Sequence, residues 1–221
     1  MAEFGEFQRA LLDWNQRANL TSITEPADVQ VKHFLDSLTV LTGLPEAVRL
    51  GMGPAALLDV GAGAGFPGLP LAIVRPLLDV TLLEATQKKC RFLEHIVAVL
   101  GLPNVDVLGG RAEELAREPA RREAYDVVVA RAVASLAALA ELCLPFVKIG
   151  GRMIAPKKVG IESEVAAAGR AIGLLGGRLA VPIIVRVPFL DEARQLIVVE
   201  KVRPTPTRYP RRPGLPAKLP L

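Results

Sequence analysis

Leu57-Leu58-Asp59-Val60-Gly61-Ala62-Gly63-Ala64-Gly65-Phe66-Pro67-Gly68 is the stretch on which the fold turns. An apolar run with an acid near its end passes into closely spaced glycines, then a proline and a second apolar segment. That order is strand, tight turn and helix start. Glycine admits positive φ and lets a ligand approach bare backbone, and Pro67 suits a first helical turn, where its missing N–H would have had no intrahelical partner. A small molecule is expected against this turn.

Two frames compete for its identity. Gly63, Gly65 and Gly68 match the G-x-G-x-x-G spacing of dinucleotide enzymes, but begin two residues late after the strand. Asp59 to Gly65 resembles the D-x-G-x-G-x-G signature of the Rossmann-like S-adenosylmethionine-dependent methyltransferases, with the acid inside the strand end. A second strand, Asp79 to Leu83, ends in Glu84, where a carboxylate can accept both hydrogen bonds from a ribose diol. That placement rejects a 2′-phosphate and suits any adenosine ribose. The loop narrows the cofactor without choosing it.

With 221 residues, 51% hydrophobic and 23% charged, the chain is globular and able to bury a core. Cys90 and Cys143 stand far apart, with no companion at metal-ligand spacing. They argue against a disulfide framework or a metal site and are expected as small buried hydrophobes in a reducing compartment. The amino-terminal stretch has acids where a signal peptide needs a basic start, and the most apolar region is broken by Arg131, Glu141, Pro145 and Lys148. The expectation is a cytoplasmic, monomeric protein with no membrane partner. The net charge is +4, and from Arg203 onward there are five basic residues and no acid, so the residues before it sum to −1. A proline-rich tail of this kind is read as unable to join a sheet or form a helix. Either it lies extended along a phosphate backbone or it is a solvated terminus.

Along the chain, Phe4, Phe7, Leu11, Leu12 and Trp14 place a helix over Ala2 to Arg17, packed by one face. Thr24-Glu25-Pro26 caps a second helix to about Thr42, on which His33 and Asp36 share a face, as a cleft cluster or as a structural pair. A linker leads to the glycine-loop strand. Helix Thr86 to Leu100, strand Val105 to Leu108, a helix starting near Ala112 and Glu113, and strand Tyr125 to Ala130 follow. Arg131 lies just past that last strand's carboxyl end, the ligand side of an open parallel sheet. Next come helix Ala134 to Phe146, strand Arg152 to Ala155, helix Glu162 to Leu175, and two alternating strands, Arg178 to Val187 and Arg194 to Val202. The sum is an α/β, doubly wound sheet of about seven strands. It divides into a helical extension (1–50), a core (51–202) and a basic tail (203–221).

The stretches WNQRANLTSIT, HFLDSL, LLDVGAGAGFPGLPLAI, LLEATQKKCRFL, RAEEL, DVVVARAV and YPRRPGLPAKLPL together resemble the ribosomal RNA small-subunit methyltransferase G (GidB) family over nearly the whole chain. That resemblance implies a Rossmann-like fold and methyl transfer from S-adenosylmethionine, leaving S-adenosylhomocysteine, to N7 of a guanine in a hairpin loop of bacterial 16S ribosomal RNA near the decoding centre. It implies that Asp59, Gly61, Gly63, Gly65 and Phe66 form the first cofactor loop, that Glu84, Ala85 and Thr86 lie near the adenosine, and that Ala112 and Glu113 flank the adenine. Arg131 would contact the cofactor or the incoming base. Glu84 stands where related sequences often carry Asp, and Lys157-Lys158 where Lys-Gly is expected.

Guanine N7 carries a lone pair and no proton, so attack on a sulfonium methyl needs no general base. Orientation then supplies most of the rate, in keeping with the lack of a His/Asp or Cys dyad. An unstacked hairpin base costs less to reach than one in a duplex. Lys32, His33, Lys157, Lys158, Arg208, Arg211 and Arg212 are the candidates for gripping 16S RNA or a small-subunit assembly particle. The rivals are a nicotinamide dehydrogenase, for which no Tyr-x-x-x-Lys or His-acid set follows the loop, and an inactive Rossmann-like binding module, against which the intact acid-glycine motif argues.

Overall fold

The computed structural model describes residues 2–131 and 134–221. The Ala132-Val133 part of the ARAV step therefore lies outside the described residues, as does Met1. Helix α1 (Ala2–Ala18) is followed by α2 (Pro26–Val29), a π-helical stretch (Gln30–Leu35), α3 (Asp36–Leu38) and a 3₁₀ stretch (Thr39–Gly43). The expected single helix to about Thr42 is thus one helical path with a widened turn that buries His33 and Phe34. Helix α4 (Glu46–Arg49) sits inside the expected linker.

Five βα steps then build the sheet: β1 (Ala55–Val60), α5 (Gly68–Val74), β2 (Leu78–Glu84), α6 (Gln87–Leu100), β3 (Val105–Gly109), α7 (Ala112–Leu115), β4 (Tyr125–Val129), α8 (Leu136–Cys143), β5 (Val147–Lys158) and α9 (Glu162–Leu174). The run closes with β6 (Gly177–Leu179), β7 (Ile183–Val185), β8 (Arg194–Lys201) and α10 (Leu215–Lys218). Strands β3-β2-β1-β4-β5 run parallel, β8 is antiparallel to β5, and β6 and β7 both pair antiparallel with β8. The strand expected over Arg178 to Val187 is split. Pro182 has no N–H to offer a ladder, so β6 and β7 meet opposite ends of β8 and the sheet has eight strands.

The parallel centre is buried on both faces, which is why β1 and β4 read as continuous apolar runs. One face packs Phe7, Leu11, Leu69, Phe92 and Leu93, from α1, α5 and α6. The other packs Leu136, Leu139, Ala168 and Ile172, from α8 and α9, together with Tyr209. Cys90 and Cys143 are buried free thiols within these layers. Among the described residues no helix is long and apolar enough to cross a membrane.

The expectation for residues 203–221 is overturned. They fold back onto the second face, with Thr205 and Tyr209 buried and a helical turn at α10 in which Pro216 stands at the start, where no intrahelical donor is required. Their carbonyls are collected by two arginines of the core. Arg122 donates to Thr205, Pro206 and Tyr209, and Arg117 to Arg208 and Pro210. Arg211, expected to grip phosphate, makes a two-pronged pair with the fully buried Glu141 of α8. Buried Lys201 bonds to Leu144 O, Thr205 Oγ1 and Glu123, fastening the root of the segment.

Candidate functional site

The turn after β1 places Gly61, Gly63 and Gly65 at φ of +73°, +61° and +90°, conformations that side chains on Cβ resist. Asp59, expected among the cofactor-binding residues, does not line the cavity above the turn. It is fully buried beneath the turn, and its Oδ2 accepts the Gly68 N–H at 2.8 Å. A Cβ on Gly68 would come within 2.9 Å of that oxygen and 2.5 Å of Leu82 Cδ2. Asp59 Oδ1 has no partner, and burial raises the carboxyl to about 7, against the pull of the Gly68 N–H and of Arg131. Asp59 therefore holds the turn to the helix that follows it. Gly65 likewise lies off the cavity wall, against Leu69.

Above the turn, at the carboxyl ends of the parallel strands, opens a cavity of about 570 Å³, within the range of small-molecule sites. Gly61, Ala62, Gly63, Ala64 and Phe66 contribute the turn; Glu84, Ala85 and Thr86 follow β2; Gly110, Arg111, Ala112 and Glu113 follow β3; and Arg131 follows β4. Glu84 Oε2 accepts the Gly63 N–H at 3.0 Å and Oε1 the Thr86 N–H at 2.8 Å. Each oxygen uses one acceptor site and keeps another, so the pair can still take a diol. Ala112 and Glu113 close one side, and Glu113 Oε1 accepts the Gly214 N–H at 2.8 Å.

His33 and Asp36, which the sequence leaves as either a cleft cluster or a structural pair, come together with Arg131. Arg131 donates to Asp36 Oδ2 at 2.9 Å and to Lys32 O, and approaches His33 Nδ1 at 3.2 Å. With Nδ1 accepting, the ring proton sits on Nε2 and is donated to Thr21 Oγ1 at 2.8 Å. The ring stacks on Phe66 at 4.4 Å and 12°, and Arg131 lies 5.4 Å from the same ring's centre. Burial, reinforced by the Arg131 charge, brings the imidazole down to about 4. His33 is thus neutral near pH 7 and cannot serve as a phosphate-gripping cation.

Three further RNA candidates are committed elsewhere. Lys32 pairs with Asp28, Lys157 with Glu164 and Ala134 O, and Lys158 with Glu192. Arg208 lies over the Tyr209 ring, and Arg212 is exposed. Sequence reasoning named neither Thr21, Arg111 nor Gly214 as site residues, although each lies in a stretch that carries the family likeness. Arg194, which shares Asp36 with Arg131 at 3.2 Å, had no local signal at all.

The cavity offers carboxylates for the diol of an adenosine and cations for a carboxylate end. Glu84 and Glu113 stand on the wall beside Lys89 and Arg111, and the wall's other arginine, Arg131, is neutralised by Asp36. The residues present thus fit S-adenosylmethionine.

The family model described as GidB, rRNA small subunit methyltransferase G, matches residues 1–197. The ribosomal RNA small subunit methyltransferase G of Dehalococcoides mccartyi is 51% identical over 222 residues, covering 100% of this chain and 92% of that protein. The protein of the same name from Roseiflexus castenholzii is 50% identical over 219 residues, covering 99% and 91%. Among solved structures, an S-adenosylmethionine-dependent methyltransferase from Aquifex aeolicus superposes with TM-score 0.56 at 19% identity, covering 82% of this chain and 96% of that one. The M. jannaschii TYW2 complex with AdoMet gives 0.54 at 14%, covering 76% and 77%. These likenesses to solved structures bear on the fold alone.

Proposed function

This chain belongs to the rRNA small subunit methyltransferase G family, and on that premise we propose that it methylates N7 of a guanine in a hairpin loop of bacterial 16S ribosomal RNA near the decoding centre, with S-adenosylmethionine as methyl donor. The observation that carries this reading is the Glu84 carboxylate, buried at the end of β2 with an acceptor site to spare on each oxygen, facing a cavity floored by the Gly61 to Ala64 backbone.

When bound, the donor supplies an electrophilic methyl whose bond to sulfur breaks with its electron pair, leaving S-adenosylhomocysteine. The chain's own residues orient and exclude. Glu84 would hold the ribose diol, Ala85 and Thr86 would border the adenosine, and Ala112 and Glu113 would flank the adenine. No side chain is asked to take a proton, because N7 has none to give. This agrees with a wall in which His33 is neutral and already bonded at both nitrogens and Glu113 is occupied by the Gly214 N–H. Arg131, fixed by Asp36, borders the approach of the base. The substrate is 16S RNA, free or in a small-subunit assembly particle, and the protein acts as a cytoplasmic monomer.

The test is transfer of labelled methyl from S-adenosylmethionine to small-subunit RNA, followed by digestion and mass spectrometry. Label in 7-methylguanosine is expected; label in another nucleoside, or none, contradicts the proposal.

A further inference from the structure

Building on the RNA substrate proposed above, the geometry points to a phosphate-binding rim on the β2–β3 side of the cavity, made of Lys88, Lys89, Arg111, Arg212 and Lys218. The argument begins with which cations remain available. On the opposite flank each candidate already has a carboxylate: Lys32 has Asp28, Lys157 has Glu164, Lys158 has Glu192, and Arg131 and Arg194 share Asp36. Such a side chain must give up an ion pair before it meets a phosphate, and being already neutralised it contributes little to counterion release.

None of the five rim cations has an ion pair or hydrogen-bonded side-chain partner among the described residues. Their placement is common to all. Lys88 and Lys89 open α6 just past β2, and Arg111 follows β3. Arg212 and Lys218 flank Gly214 and Ala217, which form part of the same cavity wall as Lys89 and Arg111. The bond from the Gly214 N–H to Glu113 and the anchoring of Arg211 by Glu141 fix this stretch, so Arg212 and Lys218 are presented from a held backbone. An RNA backbone lying along this rim puts an extruded base at the mouth of the cavity.

RNA binding is measured by fluorescence anisotropy on a small-subunit RNA transcript across a salt series. The triple variant Arg111→Ala/Arg212→Ala/Lys218→Ala should lower the slope of log affinity against log salt by about 2, at roughly 0.7 per single-stranded phosphate contact, and weaken binding about 50-fold at 0.15 M salt. The charge-conserving triple Arg111→Lys/Arg212→Lys/Lys218→Arg should keep the wild-type slope, which separates loss of charge from loss of fold. Lys158→Ala should leave the slope unchanged. A wild-type protein that methylates RNA while the alanine triple keeps its slope overturns the rim alone; so does a Lys158→Ala variant that loses slope in its place. A wild-type protein that neither binds RNA nor transfers methyl to it overturns the RNA reading beneath.

Discussion

Replacing Arg211 by alanine strips a carboxylate that has no contact with water of its counter-charge. Glu141 is fully buried, and its oxygens accept the Arg211 backbone N–H at 2.7 Å, Nε at 2.9 and 3.0 Å and a terminal guanidinium nitrogen at 2.6 Å. The variant keeps the backbone donor and loses the rest. Breaking a buried pair from one side costs about 3–5 kcal/mol, because the remaining charge is uncompensated. The Arg211 side chain is 23% exposed, so water can enter the vacated space, which places the expectation at about 3 kcal/mol. For a chain of this size that is a fall in Tm of roughly 6–12 °C. Urea and thermal unfolding of wild type, Arg211→Ala and the double variant Glu141→Leu/Arg211→Leu form the assay. The double variant should recover most of the loss, since an apolar pair leaves no charge to compensate. An Arg211→Ala protein within 1 kcal/mol (about a fivefold change in the folding constant) of wild type, or a double variant as unstable as the single one, would refute the reasoning.

Three further outcomes follow from the site. Glu84→Ala should weaken S-adenosylmethionine binding about 10- to 150-fold, the equivalent of roughly 1.5–3 kcal/mol for hydrogen bonds to a charged group; calorimetry showing a change under about threefold would remove Glu84 from the site. His33, held down at about 4 by burial, stays neutral in the folded chain while the unfolded chain takes up its proton below about 6.5. Its contribution to stability is therefore complete above pH 6.5 and is lost as pH falls towards 4, with a ceiling of about 3 kcal/mol. Asp59, raised to about 7, acts in the opposite sense, so the wild-type curve minus that of His33→Asn isolates the histidine; parallel curves would contradict the assignment. Gly68→Ala forces a methyl against Leu82 and Asp59 and should cost about 1–3 kcal/mol in urea unfolding. Gly53→Ala, with open space around its Cβ position, serves as the control.

The turn after β1 and the acid ending β2 were legible because both are local. An apolar run, glycines at fixed spacing and a carboxylate at a strand end sit within a few residues of one another. The order of βα units was legible for the same reason. What escaped was carried by distance. The partner of Arg211 lies 70 residues earlier, and in the sequence Glu141 looks only like an interruption of an apolar segment. The tail's prolines suggested a chain without fixed structure, yet its carbonyls find donors in Arg117 and Arg122, more than 80 residues away. Charge alone could not sort Lys157 and Lys158 from Arg111 and Arg212, because that depends on which carboxylate the fold brings near. The widened turn at Gln30–Leu35 has no period of its own to announce it, and it is what sets His33 against Phe66.

Gly214 and Ala217 come after every strand in chain order. Because synthesis runs from the amino end and domains fold as units, a nascent chain extended as far as β8 can already possess its complete sheet, its glycine corner and Glu84. It would still be open on one side. Translation halted between Lys201 and Gly214 would therefore release a protein with a breached pocket, poor at retaining a nucleoside, and, where Arg211 is missing, with Glu141 left uncompensated in the second layer.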